Sequence, residues 1–213
     1  DYIKRGIEQS EKDNAVATII QLDTPGGLDT AMRDIVKEIV NSRVPVVVFV
    51  SPSGARAASA GVFITLAAHI AAMASGTNIG AAHTVGIGGQ MDSTMLKKVE
   101  NDAAAYIKSL AKKRGRNEAW AEQAVRKSVS ITEYEALQKN VIDLVANNLR
   151  DLLSKVDGMK IALQEGEERT LHTKNAQVKR IEISWRDKIL EVITNPNIAY
   201  ILFTLGMLGL FFE

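Results

Sequence analysis

Cysteine is missing from this chain of 213 residues. Its absence excludes thiol catalysis, disulfide bonds and thiolate metal sites together, although it does not decide the compartment. An excess of charge is missing as well, because 26 Lys+Arg stand against 25 Asp+Glu. Without a basic field or a localised basic patch, binding of nucleic acid is not expected. We also expect no cofactor and no metal ion.

An initiator Met and a signal peptide are absent too, since residues 1–7 already have the pattern of a helix. We therefore expect any targeting segment to lie outside the printed sequence. Hydrophobic residues make up 46% of the chain. That fraction is enough for one main domain with a substantial core and for a small appendage.

The segment 198–212 contains no charged residue. It is shorter than the ~20 apolar residues of a usual membrane-spanning helix. However, it has aromatic residues towards both ends and no polar face for water. It predicts membrane attachment through a segment 185–213, as the start of a transmembrane region. A buried terminal helix is the alternative.

Strand and helix patterns alternate through the first 150 residues, which predicts an α/β domain over 1–150 with a mostly parallel sheet. The predicted strands are 15–22, 46–50, 70–73 and 77–81, and the predicted helices are 1–13, 28–41, 61–69, 93–113, 117–126 and 132–138. Beyond these, strand patterns at 159–163, 169–172 and 178–183 predict a small β appendage over 151–184.

Ser59 is the main candidate nucleophile. It lies in the run Gly-Ala-Arg-Ala-Ala-Ser-Ala-Gly at 54–61, shortly after the predicted strand 46–50. Small neighbours such as Ala58 let a substrate carbonyl approach the hydroxyl, and the first amides of the following helix favour negative charge. Taken alone, the pattern also fits a strand-to-helix turn whose small residues serve close packing.

A second turn, Asp-Thr-Pro-Gly-Gly at 23–27, follows the predicted strand 15–22. The tandem glycines Gly26 and Gly27 leave a main-chain amide accessible, as an oxyanion hole requires. Turns of this composition are also common without any function. Because parallel strands end at one sheet edge, where α/β proteins place ligands, we expect this turn and Ser59 to meet there.

A serine nucleophile needs a base, and the chain has three histidines. His69 follows Ser59 by ten residues on the same helical pattern, about 15 Å along the axis, which is out of reach. His172 lies in the predicted appendage. His83 follows a short strand, so it can line the cleft, although a polar loop residue is the other interpretation.

The lysines of the helix 93–113 are separated by helical phase. Met95, Val99, Ala103, Tyr106 and Leu110 form an apolar stripe that should face the core. Lys97 and Lys108 then point away from the core, and Lys98 lies at the edge of the stripe, where it can reach inward. A lysine that snorkels at the surface is the alternative.

These residues together resemble the serine protease domain of the NfeD family, also called stomatin operon partner proteins, membrane relatives of signal peptide peptidase A and the Clp protease. The resemblance is carried by 22–27, 54–61, 76–83, 98–103 and 194–200. It implies a Clp/crotonase-like core of β-α superhelical repeats, and a Ser/Lys dyad that hydrolyses hydrophobic segments, such as the C-terminal region of stomatin-like proteins. It further implies a homodimer or larger assembly with an extracytoplasmic protease domain.

Transferred residue by residue, the resemblance makes Ser59 the nucleophile and Lys98 the general base, with oxyanion donors from the amides of Gly27 and Ala60. We expect Gly26, Ala58 and His83 to line the substrate cleft. Two departures from the family pattern stand out: the strand that normally precedes the opening helix is missing, and no acid for a triad is identified.

Three alternatives stay open at the level of the sequence. The Clp protease has a histidine at about the place of His83, so a Ser/His arrangement is possible. A scaffold without catalysis would hold a stomatin-like partner in the same cleft. A crotonase-type enzyme acting on CoA esters shares the oxyanion geometry and is a weaker third reading.

Overall fold

A strand of five apolar residues, Val46–Val50, lies at the centre of the main sheet, and all five are buried. Such a continuous apolar run is typical of a strand that is covered on both faces. Its side chains alternate between two cores, so that Val48 packs on one side of the sheet and Phe49 on the other.

The structure is a computed structural model that describes residues 2–83, 92–163, 166–182, 193 and 196–212. Ile3–Ala176 form one compact unit, and Asp1–Tyr2 with Gln177–Glu213 form another. The helices are α1 (Tyr2–Lys12), α2 (Asp29–Asn41), α3 (Ala60–Ala67), α4 (Ser93–Lys113), α5 (Glu118–Arg126), α6 (Glu133–Gln138), α7 (Leu149–Val156) and α8 (Pro196–Phe212). The strands are β1 (Thr18–Leu22), β2 (Val46–Val50), β3 (Arg56–Ala58), β4 (Ile70–Met73), β5 (Asn78–Gly80), β6 (Ser130–Thr132), β7 (Leu144–Val145), β8 (Lys160–Ala162) and β9 (Glu168–Thr170).

The main sheet has the strand order β1-β2-β4-β7, and all its pairs are parallel. Leu22 is level with Val50, and Val50 with Met73, so the carboxyl ends of the first three strands form one edge. A second sheet, β3-β5-β6, pairs β3 with β5 in parallel and β5 with β6 antiparallel. A parallel bridge between Thr24 and Ala57 connects this second sheet to the segment after β1.

Each face of the main sheet has its own core. On one face α2, α3, α4 and α5 contribute to the larger core, in which α3 is buried along its whole length. On the other face α7 and the β8-β9 hairpin contribute Leu152, Val156, Ile161 and Leu171. The hairpin therefore packs against the sheet within the unit Ile3–Ala176.

The α/β fold with a parallel sheet is confirmed. Two of the three appendage strand patterns correspond to β8 and β9, whereas the described residues 178–182 of the third are not a strand, and Ile183 lies outside the described residues. The division of the chain into 1–150, 151–184 and 185–213 stays a prediction.

Helix α8 accounts for most of the apolar C-terminal segment. It runs for 17 residues, and its apolar side chains, including Phe203, Leu210 and Phe212, are exposed. Among the helices that the structure describes, none combines the length and the apolar character that crossing a membrane requires.

Candidate active site

Ser59 lies between β3 and α3 in a backbone conformation that side-chain-bearing residues rarely adopt. Its φ is 52° and its ψ is −114°. A non-glycine residue at positive φ is uncommon and costs of order 1–3 kcal/mol. Two main-chain hydrogen bonds hold it, because its amide donates to Gly80 O at 3.2 Å and its carbonyl accepts from Val62 N at 3.0 Å. A serine on a sharp strand-to-helix turn of this kind presents its hydroxyl outwards.

The glycine turn after β1 lies directly against this serine. A Cβ built on Gly26 would come within 2.9 Å of Ser59 Cβ and 3.2 Å of its Oγ, and Gly26 has a φ of +136°. The turn is fixed by Thr24, whose Oγ1 accepts from Gly26 N at 3.1 Å and donates to Gly26 O at 2.9 Å. The two turns therefore meet as expected, although Ser59 follows β3 of the second sheet rather than a strand of the main sheet.

The bridge to β3 aligns the two turns. Thr24 N donates to Arg56 O at 2.8 Å, and Ala58 N donates to Thr24 O at 3.1 Å. Because Ala58 is the last residue before the serine, these bonds fix the position of Ser59 relative to the two glycines. The importance of Thr24 was missed at the level of the sequence, although Ser and Thr that bond to the main chain two residues on are a known turn signal.

Two main-chain amides near Ser59 have no hydrogen bond within the part of the chain that the structure describes: those of Gly27 and Ala60. Gly27 is exposed, and a Cβ built on it meets nothing within 4 Å. Ala60 is the first residue of α3, and the first amides of a helix have no partner within it. The Ser59 hydroxyl likewise has no hydrogen bond to any described residue.

His69 lies away from this turn, after the C-terminal end of α3. Its Nδ1 accepts a hydrogen bond from Val46 N at 3.2 Å, so this nitrogen is unprotonated. Burial, and then the charges of Arg114, Arg116 and Lys113, lower the pKa of His69 to about 3. Its exclusion as the base of Ser59 stands, and the ring is a neutral structural group.

His83 lies three residues after Gly80, the residue whose carbonyl holds Ser59. Its Nδ1 is 3.1 Å from Val125 O. A carbonyl can only accept, so Nδ1 donates to it, and Nε2 is the ring nitrogen left to act as a base. The structure describes no contact between His83 and Ser59, and His172 is exposed in the β9 region.

Helix α4 carries Lys98 in its second turn, where the side chain is exposed. The predicted inward stripe is correct only in part. Ala103 and Leu110 are buried, but Met95 and Val99 are 53% and 37% exposed. Periodicity identifies residues that share a helix face, and the first two turns of α4 present that face to solvent rather than to the core.

Further along α4, side-chain contacts connect it to α2. Arg33 of α2 forms an ion pair with Asp102 and lies over the ring of Tyr106, 4.5 Å from its centroid. The groove between the helices then runs from Arg33 and Tyr106 towards Asn41 and Lys113. Residue numbers rise together along both helices, so α2 and α4 run in the same direction.

The fold and the serine turn place this chain among the Clp-like α/β proteins. ClpP1 from Listeria monocytogenes aligns with a TM-score of 0.55 at 18% identity, over 68% of this chain and 82% of that chain, which is a likeness of fold. The chain belongs to the family described as NfeD1b, N-terminal domain, which matches residues 1–181.

Two curated relatives match almost the whole chain. Membrane-bound protease PH1510 of Pyrococcus horikoshii is 44% identical over 214 residues, 99% of this chain and 48% of the relative. Membrane protein NfeD1b of Bacillus subtilis is 28% identical over 220 residues, 100% of this chain and 47% of the relative. The chain thus spans about half the length of the curated relatives that it matches.

Solved structures of the 1510-N membrane protease from Pyrococcus horikoshii, specific for a stomatin homolog, are similar as well. Its lysine-to-alanine mutant in complex with a substrate peptide has a TM-score of 0.82 and 41% identity, over 91% of this chain and 90% of that chain. Its serine-to-alanine mutant has a TM-score of 0.78 and 42% identity, over 85% and 89%.

Proposed function

We propose that this chain is the protease domain of a membrane-bound serine endopeptidase that cuts hydrophobic segments of membrane-associated proteins, such as the C-terminal region of stomatin-like proteins. One observation carries the proposal. Ser59 is held at positive φ between β3 and α3, with Gly26 packed against it and its hydroxyl unbonded among the described residues. Strained backbone of this kind is concentrated at functional sites.

In the proposed mechanism the neutral amine of Lys98 accepts the Ser59 proton while the oxygen attacks the peptide carbonyl. The amides of Gly27 and Ala60 then bind the tetrahedral oxyanion, and the first turn of α3 adds its dipole. The lysine gives the proton to the leaving amine. Water later attacks the acyl-enzyme and releases the second product, which restores Ser59.

The side-chain contacts between α4 and α2 support Lys98 as the base. Lys98 precedes Asp102 by four residues, and Asp29 precedes Arg33 by four residues, about 6 Å along each helix. Because the helices run in the same direction and Arg33 pairs with Asp102, Lys98 is level with the start of α2. Helix α2 begins two residues after Gly27, so the pair of Arg33 and Asp102 links the helix of Lys98 to the helix that follows the glycine turn.

The related 1510-N protease supports the same pair of residue types. Its serine mutant and its lysine mutant were both solved, the latter with a substrate peptide. His83 remains the alternative base, since its Nε2 can accept a proton and its loop begins at Gly80, whose carbonyl bonds to Ser59.

Exposed apolar side chains after the glycine turn and on the first turns of α4 support a hydrophobic substrate. Leu28, directly after the glycine turn, is 58% exposed, and Met95, Leu96 and Val99 are exposed on the first turns of α4. We expect the peptide to bind as an extended strand, with its main chain beside Gly26, Ala58 and His83. Its apolar side chains would then contact Leu28 and the exposed apolar residues of α4.

The proposal has three further parts: membrane attachment through 185–213, an extracytoplasmic protease domain, and a homodimer or larger assembly. The exposed apolar surface of α8 and the membrane-related names of both relatives support attachment. Removal of residues after 182 should abolish co-sedimentation with liposomes, whereas binding unchanged by this removal would contradict it. Light scattering in detergent tests the assembly, and protease protection in vesicles tests the orientation.

The deciding experiment measures cleavage of a quenched fluorogenic peptide with an apolar centre. Ser59→Ala and Lys98→Ala should each lower kcat by at least about a hundredfold. Lys97→Ala, on the neighbouring and outward-pointing lysine, is the matched control and should retain wild-type activity. Equal cleavage by wild type and Ser59→Ala would rule the protease out. If Ser59→Ala and His83→Ala are inactive while Lys98→Ala stays active, the base is His83. Tight peptide binding without cleavage favours the scaffold.

A further inference from the structure

Arg33 is the common partner of two carboxylates near the proposed base. Its Nε donates to Asp29 Oδ2 at 2.8 Å, and its Nη2 forms a short ion pair with Asp102 of α4. Burial opposes its charge, but the hydrogen bonds and charges of Asp29 and then of Asp102 outweigh it and raise the pKa of Arg33. The guanidinium therefore stays charged over the whole working range of an enzyme.

An aromatic stack fixes this guanidinium in place. It lies over the ring of Tyr106, which stacks on Phe63 of α3 with 5.9 Å between the ring centroids. A guanidinium held on a ring face loses less freedom when it forms ion pairs. Arg33 thus connects the helix after the glycine turn with the helix after Ser59 and with the helix that carries Lys98.

Lys98 and Asp102 are four residues apart on α4, so they are neighbours on one helix face. A carboxylate at this spacing is an ordinary partner for a lysine, and it stabilises the charged ammonium form. Yet Lys98 has no ion pair or hydrogen bond within the described residues, while Asp102 is paired with Arg33. The carboxylate one turn further along the same helix face is thus paired with Arg33 rather than with the lysine.

We propose that Arg33 is a positioning residue that occupies Asp29 and Asp102, so that neither carboxylate captures Lys98 and the amine stays available to Ser59. This inference rests on the proposed function, because it requires Lys98 to be the base. An arginine that only stabilised the fold would give a different pattern of mutants. Loss of Arg33 should harm catalysis because two carboxylates are set free, and neutralising them should repair it.

The test compares kcat, KM and thermal unfolding of the full chain with the same fluorogenic peptide. Arg33→Met should lower kcat about fivefold with KM unchanged, a factor that corresponds to about 1 kcal/mol for an exposed ion pair. The double variant Asp29→Asn/Asp102→Asn should retain wild-type kcat. The triple variant, which adds Arg33→Met to this pair, should recover kcat to within about twofold of wild type.

Arg126→Met is the matched control. Arg126 is exposed to nearly the same extent as Arg33, 38% against 36%, and it also pairs with a carboxylate of α4, Glu100. Glu100 is two residues from Lys98 and so faces another side of the helix. This variant should keep the wild-type kcat, and Arg33→Lys, which retains the charge, should keep most of it.

Failure of the inference is distinguishable from failure of the proposed function. If Ser59→Ala and Lys98→Ala are inactive but Arg33→Met has the wild-type kcat, the positioning role is wrong and the protease stands. The role is equally wrong if the triple variant stays as slow as Arg33→Met at unchanged thermal stability. Wild-type hydrolysis by Ser59→Ala overturns both, whereas wild-type hydrolysis by Lys98→Ala overturns the inference and leaves a protease with His83 as its base.

Discussion

At the scale of single residues, Gly26 is the position where the backbone and the site depend most directly on each other. Gly26→Ala combines strain at φ +136° with a Cβ only 2.9 Å from Ser59 Cβ. We expect a loss of roughly 1–3 kcal/mol in the free energy of unfolding, and a loss of kcat because the serine must move. Urea unfolding and peptide hydrolysis measure the two effects.

Gly54→Ala is the control for strain alone. Gly54 has a φ of +89°, but a Cβ built on it meets nothing within 4 Å. It should lose stability by a comparable amount and keep the wild-type kcat. Similar kcat values for the two variants would contradict a direct effect of Gly26 on Ser59.

At the scale of elements, α3 is anchored at the end opposite its serine. Arg116 Nη1 donates to Leu66 O at 2.8 Å and to Ala68 O at 3.0 Å, and Nη2 pairs with Asp143 at 2.6 Å. The Arg116 side chain is 1% exposed. The guanidinium thus satisfies carbonyls that the end of a helix leaves without partners.

Arg116→Met should destabilise the protein by about 3–5 kcal/mol, because it leaves Asp143 without its cation and buried carbonyls without donors. Thermal and urea unfolding measure the loss. Arg126→Met, at an exposed ion pair, should cost no more than about 1 kcal/mol. Equal costs for the two substitutions would show that Arg116 is not an anchor.

Elements with a long pattern were predictable from sequence, whereas of the very short strands β5, β8 and β9 were predicted and β3, β6 and β7 were not. The run 46–50 and the helix 93–113 have enough residues to show burial or a helical period. Strands β3, β6 and β7 have three, three and two residues, too few for any alternation. The serine and glycine turns were predictable from their small residues and from the strand patterns that precede them.

Contacts between distant parts of the chain account for what the sequence does not reveal. The pair of Arg33 and Asp102 joins residues 69 positions apart, and no local pattern marks either of them. The exposure of Met95 and Val99 has a similar origin. Helical phase predicts which side chains of α4 share one face. How many turns of that face are buried depends on the elements that pack beside it.

At the scale of the whole molecule, His69 makes stability depend on pH. Its pKa is about 3 in the folded protein, against an ordinary 6.5. Between these values the unfolded chain binds a proton that the folded protein excludes, so stability is fully present above about pH 6.5 and falls as the pH drops towards 3. From pH 7 to pH 5 the free energy of unfolding should fall by about 2 kcal/mol.

His69→Asn isolates this contribution, because an asparagine oxygen can accept the hydrogen bond from Val46 N without titrating. In urea unfolding, the free energy of unfolding should fall between pH 7 and pH 5 by about 2 kcal/mol less in the variant than in wild type. If both proteins lose the same amount, protonation of His69 does not contribute to acid unfolding.

Close packing around the serine also limits which substitutions the fold tolerates. A Cβ on Gly61 would come within 2.7 Å of Thr24 Cγ2, and Gly26 already meets Ser59 Cβ, which an alanine would retain. In a mutational scan for folding alone, carried out on Ser59→Ala, both glycines should remain intolerant of substitution. Selection for a stable fold would thus preserve the surroundings of the serine after hydrolysis had been lost, and an intact motif in another chain would not by itself identify a working enzyme.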